Sequence, residues 1–257
     1  MDFIHSRQNP VVKHLIKLAT QHRERSRSRQ SLLIGTHLIE AALASSFPLQ
    51  HVFIRDGERN AEVQSLLDAC LAAKIKVTTL SGELFDAVEQ MPSHTGMFAL
   101  FVWPEPVEMN STSAILLENV QDPGNVGSIL RTAAASSIQQ VWLTKGCAEA
   151  WSPKVLRAAM GAHFGLDIVE GITIDDIPSE AVVAVTSLQD STSLYSSDLR
   201  HCVMAFGAEG AGASEALRDR ASVRLQIPMS GRIESLNVAA SAAICLFERE
   251  RQLGVIS

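Results

Sequence analysis

Ile227-Pro228-Met229-Ser230-Gly231-Arg232-Ile233-Glu234-Ser235-Leu236-Asn237-Val238-Ala239 continues from a strand predicted at 223–227 and opens a helical stretch predicted from about 235 to 252. Pro228 cannot extend a strand ladder, and Gly231 permits a sharp turn. Ser235 is predicted to cap the helix, which would aim the backbone N–H groups of Leu236 and Asn237 into the loop. Alone, this is a well-capped strand–turn–helix connection. It is also how an open α/β sheet builds a ligand site, at the carboxyl end of a strand.

Two loops upstream have the same construction. Ala205-Phe206-Gly207-Ala208-Glu209-Gly210-Ala211-Gly212-Ala213-Ser214 puts three glycines between a buried strand and a helix. Its G-x-x-G-x-G order differs from the dinucleotide fingerprint. Glu209 sets a negative charge where a phosphate would lie, which favours a ligand without phosphate, such as a methionine-linked adenosine. The other loop is Glu118-Asn119-Val120-Gln121-Asp122-Pro123-Gly124-Asn125-Val126-Gly127-Ser128-Ile129-Leu130-Arg131. Here Asn125 is predicted to cap a helix over 126–136, and Gly127 to allow close approach. Arg131, four residues on along the same helix face, can hold a phosphate or anionic oxygen.

Around these loops the pattern alternates. Strands are predicted at 114–118, 141–144, 166–169, 182–186, 203–206 and 223–227, with crossover helices, so a largely parallel sheet covered on both faces is expected. Upstream, helix is predicted at 8–22, a charged connection at 23–29, strands at 31–35, 51–54, 76–80 and 97–102, and helices between them. That reads as a smaller α/β sandwich. Trp103-Pro104-Glu105-Pro106-Val107-Glu108-Met109-Asn110-Ser111-Thr112-Ser113 has no periodicity and separates the halves. The domains are therefore predicted as 1–103, a linker at 104–113, and 114–257.

The chain of 257 residues is 46% hydrophobic and 19% charged, ordinary for a globular protein. No run is long enough to cross a bilayer and no signal-peptide core opens the chain, so a cytoplasmic location is expected. Cys70, Cys147, Cys202 and Cys245 are far apart, which suggests neither a zinc site nor a disulfide framework. The net charge of −6 is unevenly spread: residues 1–31 carry seven Lys/Arg against Asp2 and Glu24, or +5, leaving 15 against 26, or −11. A basic arm on an acidic body can find phosphates, and Arg7, Lys13, Arg23, Arg25 and Arg27 are its candidate contacts.

Taken in order, the three loops resemble the signature motifs of the SpoU (TrmH-like) branch of the SPOUT methyltransferases. Asn119, Asn125, Gly127 and Arg131 match the first. Gly207, Glu209, Gly210 and Gly212 match the second. Ile227, Pro228, Met229, Gly231, Ser235, Leu236, Asn237 and Val238 match the third. Ser152-Pro153-Lys154-Val155-Leu156-Arg157-Ala158-Ala159-Met160-Gly161-Ala162 also resembles a family stretch, which often has serine where this chain has Ala159. The first half is similar to the family's RNA substrate-binding domain through Ile34-Gly35-Thr36-His37-Leu38-Ile39-Glu40-Ala41-Ala42.

The resemblance implies a parallel-sheet domain closed by a trefoil knot, with S-adenosyl-L-methionine as cofactor. It implies methyl transfer to a ribose 2′-hydroxyl of RNA, without a metal, by a homodimer whose partner subunit helps complete the site. By position, Thr186, Ser187, Leu188, Gly207, Ala208, Glu209, Gly210, Ile227, Met229 and Leu236 would surround the cofactor, with Ser235 and Glu209 holding the loops. Arg131 would be the catalytic residue, with Asn119, Asn237 and Ser235 beside it, and Asn125 would meet RNA. A guanidinium with a pKa above about 12 is a poor base, so Arg131 is read as stabilising charge. By family analogy ribosomal RNA is favoured over transfer RNA. The competing readings are an RNA-binding protein with a vestigial cofactor site and a dinucleotide-dependent oxidoreductase.

Overall fold

The computed structural model describes residues 2–57, 59–90, 95–187, 190–231 and 234–256. The chain forms two units: Met1–Glu105 with Trp151–Phe164, and Pro106–Ala150 with Gly165–Ser257.

In the first unit the elements run β1 (Asp2–Ile4), α1 (Pro10–Thr20), α2 (His22–Ser28), β2 (Gln30–Ile34), α3 (Thr36–Ala44), β3 (Leu49–Arg55), α4 (Ala61–Ala72), β4 (Lys76–Leu80), α5 (Gly82–Glu89) and β5 (Met97–Val102). The sheet order is β1-β4-β3-β5-β2. β1, β4 and β3 are mutually parallel neighbours, and β5 runs antiparallel to both β3 and β2. Asn9 starts α1 by accepting a hydrogen bond from Val11 N at 2.9 Å, with proline in the first turn where a missing N–H costs nothing. Leu15 and Leu18 of α1 and Leu84, Phe85 and Val88 of α5 then pack on Phe53 and Phe98 of the sheet.

Residues 23–29 correct the sequence reading. Most of this expected connection is α2. Glu24 and Arg25 are buried, at 8% and 6% exposure. Arg25 Nη1 donates to the Leu18 carbonyl at 2.6 Å, while Glu24 Oε1 accepts from Arg27 at 2.8 Å and lies 3.2 Å from His14 Nδ1. These partners hold a polar segment in place that has no apolar periodicity to announce it. Arg25 is thus a structural residue and leaves the set of RNA contacts, whereas Arg7, Lys13, Arg23 and Arg27 are exposed.

The stretch Trp151–Phe164, which contains α7 (Pro153–Ala159), was expected in the second domain but groups with the first unit. Ser31 Oγ donates to the Trp151 carbonyl at 2.6 Å, and the Trp151 ring lies 5.9 Å from Trp103 and 6.0 Å from Phe101. Phe164 closes on Phe47 at 4.6 Å. Aromatic packing across distant sequence decided this, and no local pattern encodes it.

The second unit contains β6 (Ala114–Leu117), α6 (Pro123–Ala134), β7 (Gln140–Thr144), β8 (Asp167–Ile172), β9 (Val183–Thr186), β10 (Thr192–Ser193), β11 (Val203–Phe206), α8 (Glu215–Arg220), β12 (Val223–Gln226) and α9 (Val238–Leu253). The sheet order is β10-β12-β9-β11-β6-β7-β8 and every pairing is parallel. The two-residue β10 joins the six strands expected. Ala114, Leu116, Val183, Val185, Val203 and Ala205 face one layer of the core, while Ile115, Leu117, Ala184, Met204 and Phe206 are buried on the other face. That two-residue alternation, apolar on both sides, is why these strands read as continuous hydrophobic runs. The order runs β6, β7, β8 one way and resumes on the opposite side of β6. β6 and β11 therefore flank the switch point, where open α/β sheets form their crevice. Among the described residues no helix is long and apolar enough to cross a membrane.

Candidate active site

The loop after β11 is closed on itself. Ala208 N donates to the Gly212 carbonyl at 3.1 Å and Gly212 N to the Ala208 carbonyl at 2.9 Å. A Cβ on Gly207 would lie 2.2 Å from Ala213 N, so only glycine fits. The same loop is fastened to the end of β6. The buried Glu118 accepts from Ser214 N at 2.8 Å and from Ser214 Oγ at 2.5 Å. Sequence reasoning missed Glu118, since one acid after an apolar strand carries no signal of its burial.

On the other side of the switch point, Asn119 has a left-handed backbone, φ 54, and its N–H donates to Thr144 Oγ1 at 3.1 Å. The helix that follows begins earlier than predicted. Asp122, not Asn125, is its cap, accepting from Asn125 N at 2.8 Å, and Pro123 takes the first helical position. With the start moved, Arg131 lies in the last turn of α6 instead of one turn in. Its side chain is exposed and makes no hydrogen bond or ion pair with a described residue.

The third loop is corrected in the same way. Asn237, not Ser235, caps α9, its Oδ1 accepting from Ala239 N at 2.9 Å and Ala240 N at 3.2 Å. Asn237 Nδ2 donates to Asn125 Oδ1 at 3.0 Å, and Asn125 Nδ2 donates to Glu209 Oε1 at 3.0 Å. Glu209 also accepts from the backbone N–H of Gln121 at 3.4 Å and of Asp122 at 3.3 Å. Burial pushes the Glu209 carboxyl up, but the Asn125 amide and the backbone N–H groups of Glu209, Asp122 and Gln121 outweigh it and hold it below the ordinary carboxylate range. Asn125, expected to meet RNA, thus has both side-chain polar atoms engaged within the protein, joining the second loop to the third.

Above the strand ends lies a cleft of about 470 Å³. Thr186 and Ser187 line it after β9, Gly207, Ala208, Glu209 and Gly210 after β11, and Ile227, Met229 and Leu236 after β12. Of the residues expected around a cofactor only Leu188 is missing from this set, and it lies outside the described residues. Ser235 also lines the cleft, whereas Asn119, Asn237 and Arg131 do not. Arg218 and Glu234 are on its wall as well, and the sequence reading passed over both. No group of three or more His, Cys, Asp or Glu positioned for a metal occurs among the described residues.

A glycine-lined cleft at the carboxyl ends of β9, β11 and β12 in an all-parallel sheet, with a separate mixed-sheet unit in the same chain, defines a ligand-binding α/β enzyme with an appended domain. The SpoU rRNA Methylase family model matches residues 112–247, and the model for RNA 2′-O ribose methyltransferase substrate binding matches 32–107. The 23S rRNA (guanosine(2553)-2′-O)-methyltransferase RlmP of Bacillus subtilis is 32% identical, over 96% of this chain and 98% of that protein. An AdoMet-bound rRNA methyltransferase from Sinorhizobium meliloti superposes with a TM-score of 0.84 at 25% identity, over 100% of this chain and 99% of its own. A solved RNA 2′-O ribose methyltransferase superposes at 0.79 with 27% identity, over 98% and 99%. The chain belongs to the SpoU rRNA methylase family. It is an S-adenosyl-L-methionine-dependent RNA 2′-O-ribose methyltransferase.

Proposed function

We propose that the cleft after β9, β11 and β12 holds S-adenosyl-L-methionine, that Arg131 of a partner subunit completes the site, and that the substrate is ribosomal RNA. The observation that carries this reading is the meeting of nine cofactor residues, named from three separate loops, around one cleft that excludes Arg131. Glycine backbone at 207 and 210 suits a flat adenosine. The cofactor supplies an electrophilic methyl carbon. The protein's share is orientation and charge. Arg131, always protonated, binds the target phosphate and stabilises the alkoxide developing at the ribose 2′-oxygen. Asn119, Asn237 and Ser235 position the loops and the ribose around it.

The homodimer is supported by α6 and α9, which pack together and leave Ser128, Arg131, Ala240 and Phe247 exposed. The segment between β12 and α9 is proposed to form the trefoil knot. The reading is supported by the position of β12 outside β9 while α9 packs on α6. Lys13, Arg23 and Arg27, with Arg7, supply the basic surface for RNA. A cytoplasmic location suits both the substrate and four free cysteines. Ribosomal RNA is preferred over transfer RNA because the RlmP relative aligns over nearly its whole length, including the substrate-binding region.

The test mixes two inactive variants, Arg131→Ala and Gly207→Val. A heterodimer then has one intact cleft facing one intact arginine. Methyl transfer from labelled cofactor to ribosomal RNA is expected to return on mixing. Silence on mixing would refute the partner-subunit role, and methylation of transfer RNA alone would refute the target.

A further inference from the structure

Apart from the exposed Arg131, which lies outside the cleft, Arg218 stands apart among the described arginines of the second unit. Arg224 faces Asp190 and Asp219, Arg249 faces Glu250, Arg251 faces Glu248, and Arg200 faces Asp198. Arg220 is enclosed by the carbonyls of Pro178, Ser179 and Ala181. Arg218 is half-buried and has no acidic partner among the described residues. Its Nη1 donates to the Ala213 carbonyl, which ties the guanidinium to the end of the glycine loop, one helical turn beyond the Ser214 cap. That bond uses one of five N–H groups. Arg218 also lines the cleft, whose other charged walls are Glu209 and Glu234, so it is the single cation among the described lining residues.

We infer that Arg218 receives the α-carboxylate of the cofactor's methionine tail. This rests on the reading of the cleft as the S-adenosyl-L-methionine site. That ligand carries two cationic groups, its sulfonium and its ammonium, and one anion, the carboxylate. A carboxylate entering a partly enclosed site needs a charged donor to offset its lost hydration. Glu209 cannot serve, and its oxygens are already taken by Asn125, Gln121 and Asp122. The planar guanidinium, anchored at one edge, presents its remaining donors as a fork that matches a carboxylate. Glu234 is left to face the cationic part of the tail.

The experiment compares S-adenosyl-L-methionine with its decarboxylated analogue, which keeps the sulfonium and the amine, by titration calorimetry on the full chain. For the native protein the carboxylate-bearing ligand is expected to bind more tightly. Arg218→Gln should weaken it by about tenfold or more, the scale of a charge-assisted hydrogen bond, and leave the analogue unchanged. Arg218→Lys should recover part of the difference. An equal loss for both ligands would mean that Arg218 only supports the loop, and no loss for either would remove it from the site. Either result overturns the inference while the cofactor reading stands. Failure of the native chain to bind either ligand would overturn both.

Discussion

The side-chain amide of Asn237 donates to the side-chain oxygen of Asn125 at 3.0 Å, although 112 residues separate them. Asn125 passes the connection on to Glu209, so three residues from three loops form one chain of hydrogen bonds. Asn237 also caps α9. Asn237→Ala removes both functions and is expected to cost about 1 kcal/mol of stability through the lost cap. Asn237→Ser should restore the cap without reaching Asn125. Cofactor affinity should fall about fivefold in Asn237→Ala, Asn237→Ser and Asn125→Ala alike, the worth of a net hydrogen bond. Thermal unfolding and calorimetry on the three variants separate the two roles, and normal affinity in Asn125→Ala would refute the relay.

Glu209 makes the relay sensitive to acid. Burial raises its carboxyl, yet the Asn125 amide and the surrounding backbone N–H groups prevail and its pKa lies below that of the unfolded chain. A depressed carboxyl adds stability above its unfolded pKa and loses it as pH falls through the folded value. Its contribution is therefore intact at neutral pH and fades only below the ordinary glutamate range. Because Glu209 is exposed, solvent screening keeps the effect small. Glu209→Gln should be less stable than the native chain at pH 7, with the gap closing in acid. Denaturant titrations across that range check the slope.

Substitutions at two glycines are expected to separate cofactor binding from methyl transfer. A Cβ at Gly207 would meet backbone 2.2 Å away, which cannot yield, so Gly207→Ala should abolish cofactor binding and lower stability by about 1–3 kcal/mol. At Gly146 the Cβ would fall 1.8 Å from Asn119 Oδ1, and that side chain can swing aside. Gly146→Ala should therefore cut the methyl-transfer rate while the cofactor dissociation constant stays the same. A parallel change in both constants would show that Asn119 belongs to the cofactor site instead.

The basic residues of α1 and α2 should divide by burial. Arg25 donates to the Leu18 carbonyl from inside the first unit, so Arg25→Ala should cost about 1–3 kcal/mol of stability by leaving a buried acceptor unmet. Arg23→Ala and Lys13→Ala, at exposed positions, should leave the melting temperature unchanged. Each should weaken RNA binding and reduce the salt dependence by about one phosphate contact. Filter binding at several salt concentrations, beside thermal unfolding, distinguishes the two groups.

Much of the second unit can be read along the chain because its strands are buried on both faces. Such strands must be unbroken apolar runs, as 114–117, 183–185 and 203–206 are, and Gly207 marks the end of the last. The cleft residues are legible for a related reason. Only glycine fits at 207, and a backbone requirement of that kind is written in one letter. What escaped was set by partners remote in sequence. α2 exists because Arg25 finds Leu18 and Glu24 finds His14 and Arg27. The caps of α6 and α9 passed from Asn125 and Ser235 to Asp122 and Asn237, because either residue type can cap and only the packed loops choose between them.

By itself, then, the sequence determined the parallel α/β class, since periodicity is a local constraint, and its three loops carried the family resemblance that implied the cofactor. The tertiary structure alone decided that Asn125 joins Glu209 to Asn237, that Glu118 binds the glycine loop to β6, and that Arg131 stands outside the cleft. It also decided that Trp151–Phe164 packs with the first unit and that Arg218 lines the cleft with no acidic partner among the described residues. A hydrogen bond across 112 residues depends on which strands become neighbours, and strand order is a property of the whole fold rather than of any segment.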